Sequence, residues 1–275
     1  MPELPEVEVS RQGLLPYLSG QTIVGVVVRT PSLRHEIPSG LDARLTGLRV
    51  NGILRRGKYL LIDCQSGCGG GWLLIHLGMS GSLRLVPPAT PAQRHDHFDL
   101  LFARTVLRLR DPRRFGALLW HEGADVDRHP ALAQLGIEPL SDTFDGDWLY
   151  AATRHRHAPI KPLLMDSRLV VGIGNIYAAE SLHLARVSPL RAGNRISRQR
   201  YRVLAGAIRS TLTASIAAGG SSVRDYVHSD GGAGCFQLAC AVYGRAGESC
   251  PVCAGKVRVI RQAGRSTFYC PRCQR

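Results

Sequence analysis

The sequence predicts an α+β fold: an N-terminal β-sandwich with flanking helices, then a helical region, then a four-cysteine ribbon. Three observations carry that prediction. Between Thr22 and Trp120 about eight short β-rich runs alternate with turn residues. Strand signals give way to helical ones between Asp125 and Leu140. Near the end stand Cys250-Pro-Val-Cys253 and Cys270-Pro-Arg-Cys273, with sixteen residues between the pairs.

Taken in order, the chain opens with a helix. Leu4, Val7, Leu14, Leu15 and Leu18 recur near helical spacing, Pro5 suits a first turn, and Glu3, Glu6 and Glu8 complement the positive end of the helix dipole. Strands are predicted at Thr22 to Arg29, Leu48 to Arg55, Lys58 to Asp63, Trp72 to Leu77, Ser82 to Val86, His97 to Phe102, Val106 to Asp111 and Phe115 to Trp120. Their close spacing suits a sandwich or flattened barrel with the helix packed on it. Gly67-Cys68-Gly69-Gly70-Gly71 reads as a loose hairpin loop. Helices are predicted at Asp147 to Arg156, Ile160 to Met165, Ile176 to Ala185 and Ser197 to Ala218. Gly172-Ile173-Gly174-Asn175 is a tight turn feeding the third, either a phosphate-holding helix start or a plain interhelical turn. Gly219 to Ser222 and Gly231 to Gly234 read as a mobile stretch. The intervening Lys256 to Tyr269 reads as a β-hairpin, so two knuckles close on one tetrahedral ion as a zinc ribbon.

At 275 residues the chain is long enough for two domains. Thirty-five Lys and Arg against 21 Asp and Glu give a net charge of +14, which points to a polyanionic partner, nucleic acid first. A membrane surface is the competing polyanion, but no segment approaches the roughly eighteen apolar residues of a span. The acidic start lacks an apolar signal core, so a soluble intracellular protein is expected. In that setting four of the eight cysteines are read as metal ligands rather than as a disulfide or redox framework, the competing reading. All four are consumed by the ion with no open position, so the expected zinc is single and structural. Cys64, Cys68, Cys235 and Cys240 are read as ordinary thiols.

Removal of the initiator methionine would leave Pro2 as a secondary amine beside the Glu3 carboxylate. Such an amine attacking an aldehyde carbon must give a charged iminium, an electron sink. A terminal amine with a pKa near 8 offers on the order of a few hundred-fold more free base at neutral pH than a lysine near 10.4. The plain alternative is an ordinary helix start. Met79, on the turn Gly78-Met79-Ser80-Gly81, and Arg113 and Phe115, in Asp111-Pro112-Arg113-Arg114-Phe115-Gly116, would wedge into a base stack if these tips face DNA. Taken singly, each also fits core or surface. Arg55-Arg56-Gly57-Lys58 is either an amine-bearing strand junction or a solvated basic turn. Lys256, Arg258, Arg261 and Arg265 set cations on the ribbon, which suits a phosphate backbone.

Together these pieces resemble the formamidopyrimidine-DNA glycosylases over essentially the whole length. The carriers are Pro2-Glu3-Leu4-Pro5-Glu6-Val7-Glu8, Arg56-Gly57-Lys58-Tyr59-Leu60, His76-Leu77-Gly78-Met79-Ser80-Gly81, Asp111 to Gly116, Gly172-Ile173-Gly174-Asn175-Ile176-Tyr177 and the four cysteines. The resemblance implies a β-sandwich catalytic domain over 1–131, a helix-two-turn-helix module over 132–235 and a zinc finger over 236–275, with DNA between the halves. It implies a bifunctional glycosylase and AP lyase of base excision repair, acting on oxidised purines in double-stranded DNA. Pro2 is implied as the Schiff-base nucleophile, Glu3 as general acid/base, Lys58 as proton donor in β-elimination and Arg265 as its counterpart in δ-elimination. His95, Arg113, Arg156, Lys161 and Asn175 match positions that hold DNA. Met79, Arg113 and Phe115 match residues inserted where the lesion was. A monomer in the cytoplasm, associated with the nucleoid, is expected.

Two departures bear on specificity. The family often has an aromatic where Gly234-Cys235-Phe236 stands, and Arg154-His155-Arg156-His157 replaces a lysine-rich run, making its charge partly pH-dependent. A sister family acting on oxidised pyrimidines shares Pro2 and Glu3 but commonly has glycine at the position of Leu4. A non-catalytic zinc protein that binds damaged DNA, and RNA association through the ribbon, are the remaining alternatives.

Overall fold

A computed structural model describes residues 2–67, 69–221 and 240–275. The expectations placed on Cys68, Ser222, Gly231 to Gly234 and Gly234-Cys235-Phe236 lie outside the described residues. The chain forms two compact units, Met1–Ala133 with Gly219–Cys235, and Gln134–Ala218 with Phe236–Arg275.

The first unit begins with helix α1, Leu4–Leu18, then β1 (Gly25–Val28) and a short helix α2 (Leu41–Leu45). The strands β2 (Arg49–Arg56), β3 (Tyr59–Ser66), β4 (Gly69–His76), β5 (Ser82–Val86), β6 (Asp96–Leu101), β7 (Val106–Arg110) and β8 (Ala117–Glu122) follow. They make two antiparallel four-stranded sheets, ordered β1-β6-β7-β5 and β2-β3-β4-β8. Each strand alternates its side chains between faces. The inward sets, Ile53, Leu60, Ile62, Leu73, Ile75 and Leu118 from one sheet and Leu83, Phe98, Leu100, Leu107 and Leu109 from the other, join Val7, Leu14 and Leu18 of α1 in a single core. The predicted sandwich is thus two separate sheets.

Two local differences from the sequence reading matter. Strand β1 is shorter than predicted, Thr22 making only an isolated bridge to Arg49. Strand β8 starts at Ala117, which leaves Phe115 in the preceding loop. The chain passes from one sheet to the other between β4 and β5 and again between β7 and β8. The turns carrying Met79 and Phe115 are these two crossings.

In the second unit α3 (Gly146–Thr153), α4 (Ile160–Leu164), α5 (Asn175–Leu184) and α6 (Arg198–Ala217) precede the hairpin β9 (Arg258–Gln262) and β10 (Arg265–Tyr269). Asp145 and Ser197 cap α3 and α6 by accepting the N–H groups of Trp148 and Arg200. Glu180 on α5 accepts the backbone N–H groups of Ala241, Val242 and Tyr243 at 2.8–3.0 Å, so that helix anchors the segment entering the ribbon. Among the described residues no helix is long and apolar enough to cross a membrane.

Candidate active site and nucleic-acid interface

Pro2 is buried directly ahead of α1, and Glu3 is the helix N-cap in extended conformation. Glu6 fixes this start. One carboxylate oxygen accepts the Glu3 N–H at 2.7 Å, and the other accepts both the N–H and the hydroxyl of Ser221 at 2.8 and 2.9 Å. Sequence reasoning gave Glu6 only a dipole role. Its spacing of three from the N-cap, the mark of a capping box, was the signal available. Nothing local could reveal Ser221.

Lys58 occupies the second position of the two-residue turn joining β2 and β3, where Arg56 pairs with Tyr59. Gly57 takes the left-handed conformation, φ 57°, that the first position of such a hairpin turn demands. The turn is tied to α1. Arg55 donates to Glu8 at 2.9 Å and to the Gly57 carbonyl at 3.2 Å, and Glu8 also holds Arg11. Burial would raise the Glu8 carboxyl, but hydrogen bonds and charge from Arg11 and Arg55 outweigh it and hold the group below its ordinary range.

His76 lies across from Tyr59, ring centroids 4.8 Å apart. Burial, helped by the charges of Lys58 and Arg34, lowers its pKa to about 4. The neutral ring accepts the Gly78 N–H on Nδ1 at 3.0 Å, which puts its proton on Nε2. Beyond it Met79 is 37% exposed and Phe115 43% exposed. The Arg113 guanidinium sits 4.8 Å from the Phe115 ring centroid, a cation–π contact. Half-buried His95 adopts a φ of 75°.

Four candidates lie in the second unit. Asn175 opens α5, and its Oδ1 accepts from Lys161 Nζ at 2.6 Å. Since lysine only donates, the amide oxygen is identified and the Nδ2 hydrogens remain for an acceptor. Lys161 is 1% exposed and donates also to the Ser266 carbonyl and to Thr267 Oγ1, at 3.1 and 2.7 Å. Its three hydrogens are thereby engaged, tying α4 to Asn175 of α5 and to β10. Lys161 and Arg265 line one cavity of about 130 Å³ together with Met165 and Gln262. Arg156 is exposed, while its backbone is held by Thr153 and Asn194. Two larger hollows in the first unit, about 640 and 670 Å³, contain none of the candidates.

The sulfurs of Cys250, Cys253, Cys270 and Cys273 lie within 4.8 Å of one another, with Cys253 to Cys270 at 3.5 Å and Cys250 to Cys273 at 3.8 Å. A tetrahedral zinc with bonds near 2.3 Å needs sulfurs about 3.8 Å apart, so the cluster fits a structural zinc. None of these cysteines is in a disulfide. Cys64 and Cys240 are buried and outside any disulfide, and burial pushes the Cys64 thiol up to about 12.

A family model for the formamidopyrimidine-DNA glycosylase N-terminal domain matches residues 1–118, one for the H2TH domain of the same enzymes matches 135–227, and one for a zinc finger found in FPG and IleRS matches 247–275. The formamidopyrimidine-DNA glycosylase of Dechloromonas aromatica is 62% identical over 100% of both chains. The chain belongs to the formamidopyrimidine-DNA glycosylase family. Two solved structures of Lactococcus lactis Fpg, each 34% identical with TM-score 0.91 and full coverage of both chains, hold an oxidised-pyrimidine-containing DNA and, in a mutant form, a Fapy-dG-containing DNA. The zinc finger of the family and the four-cysteine cluster agree on one structural zinc.

Proposed function

We propose that this family member is a bifunctional DNA glycosylase and AP lyase that excises oxidised purines from double-stranded DNA. The observation that carries the reading is the Pro2-Glu3 pair at the head of α1, its backbone held by the buried Glu6 carboxylate. A secondary amine fixed beside a carboxylate suits attack on a sugar carbon.

Once methionine is removed, Pro2 attacks deoxyribose C1′ as the damaged base departs, with Glu3 moving the protons of base loss and ring opening. The resulting iminium acidifies the neighbouring C2′ hydrogen; its loss expels the 3′ phosphate, and a second elimination expels the 5′ phosphate. Lys58 donates a proton in the first elimination and Arg265 serves the second. Water then releases Pro2 from the sugar fragment. Met79, Arg113 and Phe115 fill the space of the extruded nucleotide, and His95, Arg113, Arg156 and Asn175 hold phosphates. Lys161, with its ammonium engaged, orients Asn175. The enzyme works as a monomer in the cytoplasm on nucleoid DNA, and residues 1–131, 132–235 and 236–275 serve as catalytic, helix-two-turn-helix and zinc-finger domains.

Borohydride reduction during incubation with lesion DNA tests the chemistry. A covalent adduct with the wild type, strongly diminished in Pro2→Gly, is expected; no adduct would leave a non-catalytic damaged-DNA binder. Comparing duplexes with 8-oxoguanine opposite cytosine and with thymine glycol tests the substrate. Leu4 favours the former, and preference for the latter would move the chain's substrate to oxidised pyrimidines.

A further inference from the structure

We propose that Asp111, acting through Ser80, is a positioning residue that locks the two base-displacing turns of the first unit into one rigid wedge. This rests on the reading of Met79, Arg113 and Phe115 as the groups that enter the stack.

The turns come from distant parts of the chain, one between β4 and β5 and one between β7 and β8. Asp111 joins them at 0% exposure. Its Oδ1 accepts the Ser80 hydroxyl at 2.6 Å and its Oδ2 accepts the Gly116 N–H at 2.8 Å. Its own N–H donates to the His95 carbonyl at 3.0 Å, and its carbonyl accepts from the Arg114 N–H and lies 3.0 Å from His97 Nε2. Ser80 Oγ in turn accepts the Arg113 N–H at 3.2 Å. The bonds to Ser80, Gly116, His95 and Arg114 each end on a candidate DNA contact or beside one. The turns also touch directly. A Cβ on Gly78 would fall 2.3 Å from the Phe115 carbonyl carbon, so only a hydrogen fits there.

A simple packing role would be met more cheaply by apolar residues. Burying a carboxylate costs several kcal/mol unless hydrogen bonds replace water, and no salt bridge of Asp111 is present among the described residues. Here the charge is held by a hydroxyl and a backbone N–H, both belonging to the wedge turns. Side chains that must push bases apart need backbone that does not yield, and this arrangement supplies it.

The test uses the full-length zinc-loaded enzyme and an 8-oxoguanine duplex with 2-aminopurine beside the lesion, which brightens when its stack opens. Ser80→Ala and Asp111→Asn are expected to slow the fluorescence rise five- to twentyfold and lower kcat on the duplex. Borohydride trapping on an abasic site in single-stranded DNA, which has no stack to open, is expected to stay within twofold. Phe115→Ala is the control. If it leaves the rise unchanged, the wedge reading itself fails. If it slows the rise while Ser80→Ala and Asp111→Asn match wild type, the wedge stands and the positioning role is overturned. Equal losses on duplex and single strand would also overturn it, as general damage to the fold. Should Asp111→Asn not fold, Ser80→Ala decides alone, since it removes one oxygen.

Discussion

Replacing Glu6 by glutamine puts a magnitude on how the chain ahead of α1 is held. In the native arrangement three buried donors converge on its two oxygens, the Glu3 N–H on one and the Ser221 N–H and hydroxyl on the other. A glutamine offers one oxygen and one NH2. Turning the oxygen to Ser221 keeps two bonds and sets NH2 against the Glu3 N–H, the less costly orientation. The loss is one hydrogen bond to a charged acceptor plus an unpaired buried donor, about 1.5–3 kcal/mol. For a chain of this size, at roughly 2–4 °C per kcal/mol, the first unit should melt about 3–12 °C lower. Thermal unfolding followed by the fluorescence of Trp72 and Trp120, in a Trp148→Phe background that silences the second unit, measures it. Borohydride trapping on lesion duplex should slow about tenfold as the backbone beside Pro2 loosens. A Glu6→Gln protein that melts within about 1 °C of its parent and traps at the same rate would refute the reasoning.

The other expectations are read the same way. Arg156→Ala should reduce the slope of log affinity against log salt by about 0.9, the signature of one lost phosphate contact, while Lys161→Met should weaken binding with the slope unchanged; a changed slope for Lys161→Met would put its ammonium on DNA. Because the folded Glu8 carboxyl lies below its ordinary value near 4.5, it contributes stability above that pH and loses it as pH falls through the folded value. Glu8→Gln should therefore cost about 1–2 kcal/mol at pH 7, a deficit that urea titrations should find closing as pH falls below the ordinary 4.5 and through the lowered folded value. Ala263 stands at φ 46° in the two-residue turn between β9 and β10. Ala263→Asn should stabilise the ribbon hairpin by about 0.5–1 kcal/mol in thermal unfolding, since asparagine tolerates that conformation. Chelating zinc should abolish duplex binding while the Trp72 and Trp120 unfolding transition persists; retained affinity would remove the ribbon from the interface.

The eight strands and four longer helices were legible from apolar runs bounded by turn residues, even where, as over Ile176 to His183 of α5 and Asp96 to Leu100 of β6, successive residues are buried on every side. The helix Leu41–Leu45 was not, being a single turn with a glycine N-cap and no room for a period. Motif residues could be named from their order along the chain, yet what holds them could not. Lys161 reads, by the resemblance, as a cation that holds DNA, whereas its ammonium is buried against Thr267, 106 positions away. Asp99 keeps the polar place in the alternation of β6 yet is buried, because Arg108 faces it across the sheet and Arg29 reaches it from a third segment. Asp111 reads as one end of a turn motif, whereas its partner Ser80 is 31 residues earlier. Each is a polar group made tolerable by a distant partner, and a linear pattern carries no mark of such pairings.

The bond between Glu6 and Ser221 spans 215 positions and closes the first unit with a segment that returns after Ala218. A ribosome delivers Ala133 well before Ser221. At about 5–20 residues per second the interval is roughly 4–18 s. During that interval the nascent sandwich holds a buried carboxylate with two of its donors still untranslated, so a fragment ending at Ala133 should be recovered poorly and cut readily near α1 by protease. Glu6 therefore gains its Ser221 partners only after α3 to α6 have been synthesised, so the start of α1 is fully held only once the chain has returned to the first unit.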